Sequence, residues 1–141
     1  RFEKKGSCKG VDLIDDYGHH PSEIAALLKM CSYKYKSFGC IVQPHRISRF
    51  TEFYDGFKDV LRYVEPLFVL PVYAAGEKIE GRNSLELFNE LKSEGQEVYY
   101  FDNLHEASDY LVKNIEKLKI DALVSVGAGD VNRILDFIKE Q

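Results

Sequence analysis

Short apolar runs alternate with helical stripes of period 3.6 along almost the whole chain, and this alternation most narrows what the sequence can fold into. Pro21 opens a segment with Ile24, Leu27, Leu28 and Cys31 at i, i+3, i+4 and i+7, the pattern of a helix with one buried stripe. Phe38 to Val42 is continuously apolar, as expected of a strand covered on both faces. A second helix is expected from about Thr51, with Phe53, Phe57, Val60, Leu61 and Val64 on one side. Leu67 to Tyr73 reads as a strand broken by Pro71, and Val98 to Phe101 as another. Asn83 with Glu86, and Asn103 with Glu106, have the spacing of helix caps. The first of these helices stops at Gly95 and the second carries Ala107, Leu111, Ile115 and Leu118. Ala122 to Val126 is the last strand, followed by a helix with Val131, Ile134, Leu135 and Ile138.

Arg1 to Lys5 and Val11 to Ile14 flank a Gly6 to Gly10 turn, a β-hairpin at the start. The expected fold is α/β: Rossmann-like, doubly wound, a mostly parallel sheet with helices on both faces and an N-terminal β-hairpin. At 141 residues the chain suits one domain, residues 1–141. It begins with Arg1 rather than Met and so reads as a piece of something longer.

In open α/β sheets a ligand sits outside the carboxyl ends of the strands. Every unusual segment here follows a strand: Asp15-Asp16-Tyr17-Gly18-His19-His20-Pro21, Gln43-Pro44-His45-Arg46-Ile47-Ser48-Arg49, Ala74-Ala75-Gly76-Glu77 and Gly127-Ala128-Gly129-Asp130. These four loops are expected on one edge. In the first, Pro21 at the first helical position leaves His20 as N-cap, where Ser, Thr, Asp or Asn would be usual. A poor cap on a well-formed helix marks a functional corner.

Arg46 and Arg49, three apart beside His45, are spaced to clamp a carboxylate or phosphate from one side of a helical turn. The plainer alternative is two solvated arginines paired with Glu52 or Asp55. Asp15, Asp16, His19 and His20 have the chemistry of metal ligands, but no helical His-x-x-x-His or Glu-x-x-His pair supports them, so no metal site is assigned. The Gly-x-Gly of Gly127 to Gly129 is a weak dinucleotide signal; a tight turn with Asp130 as N-cap explains it as well. No catalytic residue is assigned, since no Ser-His-Asp or Cys-His set is apparent. The Walker phosphate-loop pattern is absent from the chain.

Composition restricts the partners. The formal charge is −4 and the basic residues are scattered, which argues against nucleic acid. No apolar run approaches the ~20 residues of a membrane span. Three cysteines without a CxxC pair, Cys8, Cys31 and Cys40, fit buried free thiols in a cytoplasmic protein. From the residues alone the chain is a small-ligand site for an anionic group.

The motifs DDYGHHPSEI from Asp15, QPHRISR from Gln43, VYAAGE from Val72 and GAGD from Gly127, with Arg1-Phe2 at the entry, together resemble the C-terminal domain of the Mur ligases. They are most similar to the branch that joins L-alanine to UDP-N-acetylmuramate. The resemblance implies an ATP-dependent carbon–nitrogen ligase of peptidoglycan synthesis, and through it of cell shape and division. An N-terminal UDP-sugar domain and a central ATPase domain, both absent from this chain, would complete it. Mg2+ would be held mainly by the central domain, and the phosphate loop belongs there too. The isolated domain is then expected to have no ligase activity.

Carried over by motif position, Tyr17, His19, His45, Arg46, Arg49, Ala128 and Gly129 are implied to bind the amino acid, and Arg1 and Asp16 the nucleotide, Asp16 toward the ribose. His20 and Glu77 are implied as helpers. Ile47 departs from the aromatic residue common in the QPHR motif and is expected to loosen packing behind the pocket; Ser22 replaces a common Thr. The branch that recycles murein tripeptide shares the first motif but lacks QPHR. Outside the resemblance two readings stay open: a stand-alone small-ligand or regulatory module, and metal hydrolysis on His19, His20 and His45.

Overall fold

A computed structural model describes residues 2–139 of the chain. The hairpin is β1 (Glu3–Cys8) with β2 (Val11–Asp16), antiparallel and irregular in register between Lys4 and Gly6. Its turn is tighter than the sequence suggested. Only Lys9 and Gly10 lie outside the strands, and both have positive φ, 50° and 82°, which matches the twist of a two-residue hairpin.

From β2 the chain runs through α1 (Pro21–Lys34), β3 (Phe38–Val42), the paired helices α2 (Ile47–Glu52) and α3 (Tyr54–Leu61), β4 (Leu67–Val69), α4 (Ser84–Ser93) and β5 (Val98–Tyr100). It closes with α5 (Leu104–Asn114), extended by a 3-10 turn at Ile115–Leu118, then β6 (Ala122–Val126) and α6 (Arg133–Lys139). The strand order is β1-β2-β6-β3-β4-β5, and every pairing except the hairpin is parallel.

Right-handed crossovers explain which helix lies where. The chain steps one way along the sheet from β2 to β3, β4 and β5, so α1 to α4 must share a face. The return from β5 to β6 reverses direction and puts α5 on the other face. The packing agrees. Ile24, Leu27, Phe50, Tyr54, Phe57, Leu61, Leu87 and Leu91 pack on Ile14, Val42, Val69 and Val124, whereas Ala107, Leu111, Ile134 and Leu135 pack on Leu13, Ile41, Phe68 and Leu123. Alternate strand residues serve opposite faces. Each such Leu, Ile or Phe contributes roughly 1.5–3 kcal/mol on burial, and both the strands and the helices that cover them supply these side chains.

Three element boundaries differ from expectation for local reasons. The helix expected from Thr51 begins at Ile47 and breaks at Phe53, because its buried positions form two short stripes, Ile47 and Phe50, then Tyr54, Phe57 and Leu61. The strand before Pro71 ends at Val69, since proline cannot donate to a ladder; a lone bridge between His45 and Tyr73 continues the alignment. The last helix starts at Arg133, three residues beyond Asp130, so Asp130 is not its N-cap.

β6 is inserted between β2 and β3, two strands the chain visited much earlier. That is a reversal of strand order, and it sets the carboxyl ends of β2, β6 and β3 side by side.

Candidate functional site

The loop after β2 is folded by its own side chains. Asp16, buried at the strand end, accepts a hydrogen bond from Gly18 N–H at 2.8 Å, and a Cβ on Gly18 would lie 3.1 Å from that same oxygen. Glycine lets the turn close. The His20 cap is not poor: His20 Nδ1 accepts from Ser22 N–H at 3.1 Å, and Glu23 Oε1 accepts from His20 N–H at 3.2 Å and His19 N–H at 3.1 Å. Imidazole here does the work of a Ser or Asp cap, with Glu23 completing the reciprocal pair. The two histidines point apart. His20 packs edge-on against Phe53 at 4.6 Å, whereas His19 turns toward His45, ring centroids 6.4 Å apart.

The loop after β3 arrives beside it. Gln43 N–H donates to Val126 O at 3.0 Å and Gly127 N–H to Asp16 O at 3.1 Å, which locks the ends of β2, β6 and β3 together. The Arg49 guanidinium donates to His45 O at 3.0 Å and lies 3.5 Å from His45 Nδ1. Arg46 stands at the start of α2 with φ of 71°, and its guanidinium is 4.0 Å from Glu77 rather than paired with Glu52 or Asp55.

The loop after β4 is zipped to this one: Tyr73 N–H donates to Pro44 O at 2.8 Å and Arg46 N–H to Tyr73 O at 2.7 Å. The loop after β6 presses in from the other side. A Cβ on Gly129 would fall 2.6 Å from Gln43 Oε1 and 2.9 Å from Tyr73 Cγ, so only glycine fits there without movement. Gln43 Nε2 donates to Asp130 at 3.0 Å, while its buried Oε1 has no hydrogen-bond partner.

Thus Tyr17, His19, His45, Arg46, Ala128 and Gly129 stand on loops of a single edge, Arg49 stands on the short helix α2 that follows one of them, and Glu77 joins them through Arg46. His20 is committed to the helix cap and Phe53. Arg1 lies outside the described residues. Asp16 borders a cavity of about 340 Å³ walled by Phe2, Tyr17, Leu27 and Met30. Ile47 is buried, 5% exposed, behind the arginine turn. Asp15 does not reach the edge; it accepts a hydrogen bond from Ser125 Oγ at 2.8 Å inside the sheet.

The sequence reading placed Tyr73 only at the end of a broken strand and did not single out Gln43 or Ser48 as site-shaping residues. The only available signal for Tyr73 was an aromatic residue just past a strand-breaking proline. Ser48, two residues after Arg46, had the position of a first-turn donor.

Burial first, then the Arg49 and Arg46 charges, hold the His45 imidazole below its usual protonation range. The site's positive charge therefore comes from two guanidiniums beside a neutral ring, a surface suited to a small carboxylate. The Ser48 hydrogen bonds push the Glu77 carboxyl down, and the His19 N–H does the same for Glu23. Burial raises the Cys31 thiol to about 11 and Cys40 further, so neither is activated, and Cys8 is likewise free and buried. Among the described residues, no three of His, Cys, Asp or Glu gather to hold a metal ion, and no helix is long and apolar enough to cross a membrane.

Residues 1–129 match the family model described as Mur ligase, glutamate ligase domain. The chain is 38% identical over 136 residues to the UDP-N-acetylmuramate--L-alanine ligase of Lachnospira eligens, covering 95% of this chain and 29% of that protein. It is 35% identical over 143 residues to the enzyme of the same name from Caldicellulosiruptor saccharolyticus, covering 100% of this chain and 31% of that one. The chain therefore spans less than a third of the length of these relatives. Among solved structures, the UDP-N-acetylmuramate-alanine ligase of Thermotoga maritima superposes with a TM-score of 0.70 at 24% identity, over 98% of this chain and 30% of that one. A domain from a ligase of Haemophilus ducreyi gives 0.67 at 15% identity, over 99% of this chain and 98% of that one. At those identities both establish the fold.

Proposed function

The chain belongs to the Mur ligase family through its glutamate ligase domain, and from that premise we propose that it closes over the active site of a three-domain, ATP-dependent ligase joining L-alanine to UDP-N-acetylmuramate in peptidoglycan synthesis. In this proposal the other two domains, which hold the UDP-sugar and the phosphate loop, lie outside the chain. The sugar's carboxylate becomes an acyl phosphate at the expense of ATP. The amine of L-alanine then attacks the acyl carbon, the C–N bond forms, the C–O bond to phosphate breaks, and the amine loses a proton.

The observation that carries the reading is that Arg46, Arg49 and His45 stand on one turn after β3, with the Arg49 guanidinium on His45, the Arg46 guanidinium beside Glu77, and the His45 ring 6.4 Å from that of His19. The two guanidiniums take the alanine carboxylate, and the His19 and His45 rings with Tyr17 bound the space left for a short side chain. Ala128 and Gly129 supply the floor. Holding the amino acid in line with the acyl phosphate is largely a matter of positioning, an effect that can remove on the order of 7–11 kcal/mol from a barrier. Domain closure would gate it.

The cavity beside Asp16 fits the edge of a nucleotide, with apolar walls and a carboxylate for a ribose hydroxyl. Magnesium, held mainly by the central domain when bound, would neutralise the phosphate oxygens. A cytoplasmic location goes with ATP and a UDP-sugar as the proposed co-substrates, and three free buried thiols are compatible with a reducing compartment.

The test is Arg46→Ala in the full-length enzyme. The KM for L-alanine should rise at least tenfold, the usual cost of a lost charge-assisted pair, with the KM for the UDP-sugar little changed. An equal rise in both constants would count against the assignment.

A further inference from the structure

We propose that Glu77 is a positioning residue: it holds the arginine turn of α2 in its binding geometry and does not touch the amino acid itself. The inference rests on the reading of Arg46 and Arg49 as the carboxylate clamp.

α2 has six residues, too few to persist without outside support. Its N-cap, Arg46, carries no side-chain cap and sits at φ 71°, ψ 123°, a backbone region that L-residues seldom adopt. The first-turn N–H groups need an acceptor. Glu77, 29 residues further along, provides one: Ser48 N–H donates to Oε1 at 3.1 Å and Ser48 Oγ to Oε2 at 2.6 Å. The carboxylate caps the helix from another strand end, and a negative charge at that end also suits the helix dipole.

The brace is itself anchored. Ala75 and Gly76 turn the chain at φ 55° and 87°, and Glu77 N–H donates to Ala74 O at 3.1 Å. Beyond it, Arg82 N–H donates to Thr51 Oγ1 at 3.0 Å, and Gly81 lies so close to Thr51 that a Cβ would meet its hydroxyl at 2.4 Å. The segment from Glu77 to Arg82 therefore straps α2 at its beginning and at its end.

Two features separate positioning from direct contact. Both Glu77 oxygens accept from Ser48, at 3.1 and 2.6 Å, so the carboxylate is turned toward the first turn of α2. The Arg46 guanidinium, 4.0 Å away and 47% exposed, is steered rather than consumed.

The experiment is steady-state kinetics on the full-length ligase with Glu77→Ala, Glu77→Gln, Ser48→Ala, the double variant Ser48→Ala/Glu77→Ala, and Arg46→Ala. Glu77→Ala should raise the KM for L-alanine about tenfold, with those for ATP and UDP-N-acetylmuramate within about twofold. Glu77→Gln, which keeps one acceptor for Ser48 N–H, should recover part of the loss. Ser48→Ala should raise the same constant, and the double variant should be no worse than Glu77→Ala alone, because both act through one contact. Ser48→Ala removes only a surface hydroxyl, so it carries the test even where Glu77→Ala costs the fold.

A normal KM for alanine in Ser48→Ala and Glu77→Gln, with Arg46→Ala impaired, would overturn the brace and leave the clamp standing. Multiplicative effects in the double variant would overturn it in favour of direct contact. A uniform fall in kcat and rise in all three KM values would reduce Glu77 to a stability residue. An Arg46→Ala enzyme with a normal KM for alanine would overturn clamp and brace together.

Discussion

The imidazole of His45 lies face to face with the phenol ring of Tyr73, centroids 5.4 Å apart and planes 9° from parallel. The contact joins the end of β3 to the segment after β4, and the backbone bridge between the same two residues makes it rigid. A ring that faces the proposed amino-acid pocket is therefore aimed by a residue from the loop that follows another strand.

Removing that support should be visible in the full-length enzyme. Stacked aromatic pairs contribute about 0.5–1.5 kcal/mol beyond area burial, so Tyr73→Leu should raise the KM for alanine roughly two- to tenfold. Tyr73→Phe should stay close to wild type, since the stack needs the ring and not the hydroxyl. Kinetics on the pair of variants checks this, and equal loss in both would assign the effect to the hydroxyl.

Gly129 provides a second, steric test. A methyl group there meets Gln43 Oε1 at 2.6 Å and Tyr73 Cγ at 2.9 Å, both closer than real Cβ contacts allow. Gln43 is buried and Tyr73 is 41% exposed, so the tyrosine is the side that yields. Gly129→Ala should displace the Tyr73 ring and with it His45, raising the KM for alanine more than Tyr73→Leu does. The melting temperature should fall by a few degrees, the change expected for about 1 kcal/mol in a domain of this size. An unchanged KM would show that His45 keeps its place without the stack.

The sheet was legible because its signal is periodic. Strands such as Phe38–Val42 and, apart from Ser125, Ala122–Val126 are apolar runs, as a parallel sheet covered on both faces requires. The four loops were legible as one edge for the same reason, since parallel strands send all their carboxyl ends one way. What escaped was whatever depends on pairs distant in sequence. Nothing near Ser48 announces that its cap comes from Glu77, and nothing near Gln43 announces Gly129 and Asp130. His20 misled for a related reason: residue type made it look like a poor cap, whereas its Nδ1 lone pair accepts the Ser22 N–H as an Asp oxygen would.

The charge state of His45 gives a prediction with a definite sign. Burial, followed by the Arg49 and Arg46 charges, lowers its pKa from the ordinary 6.5. The unfolded chain, lacking both effects, takes up the proton first as pH falls. The stability this residue supports is thus fully present above about pH 6.5 and is lost as pH drops through the lower, folded value. A histidine stabilised by an acidic partner would do the reverse. Thermal unfolding of wild type and His45→Gln across about pH 5 to 8 separates the cases. The melting temperature of wild type should fall relative to the variant on acidification, and the difference should be constant at the alkaline end. A gain for wild type in acid would mean that Glu77, which acts on His45 in the opposite direction, outweighs burial and the two guanidiniums.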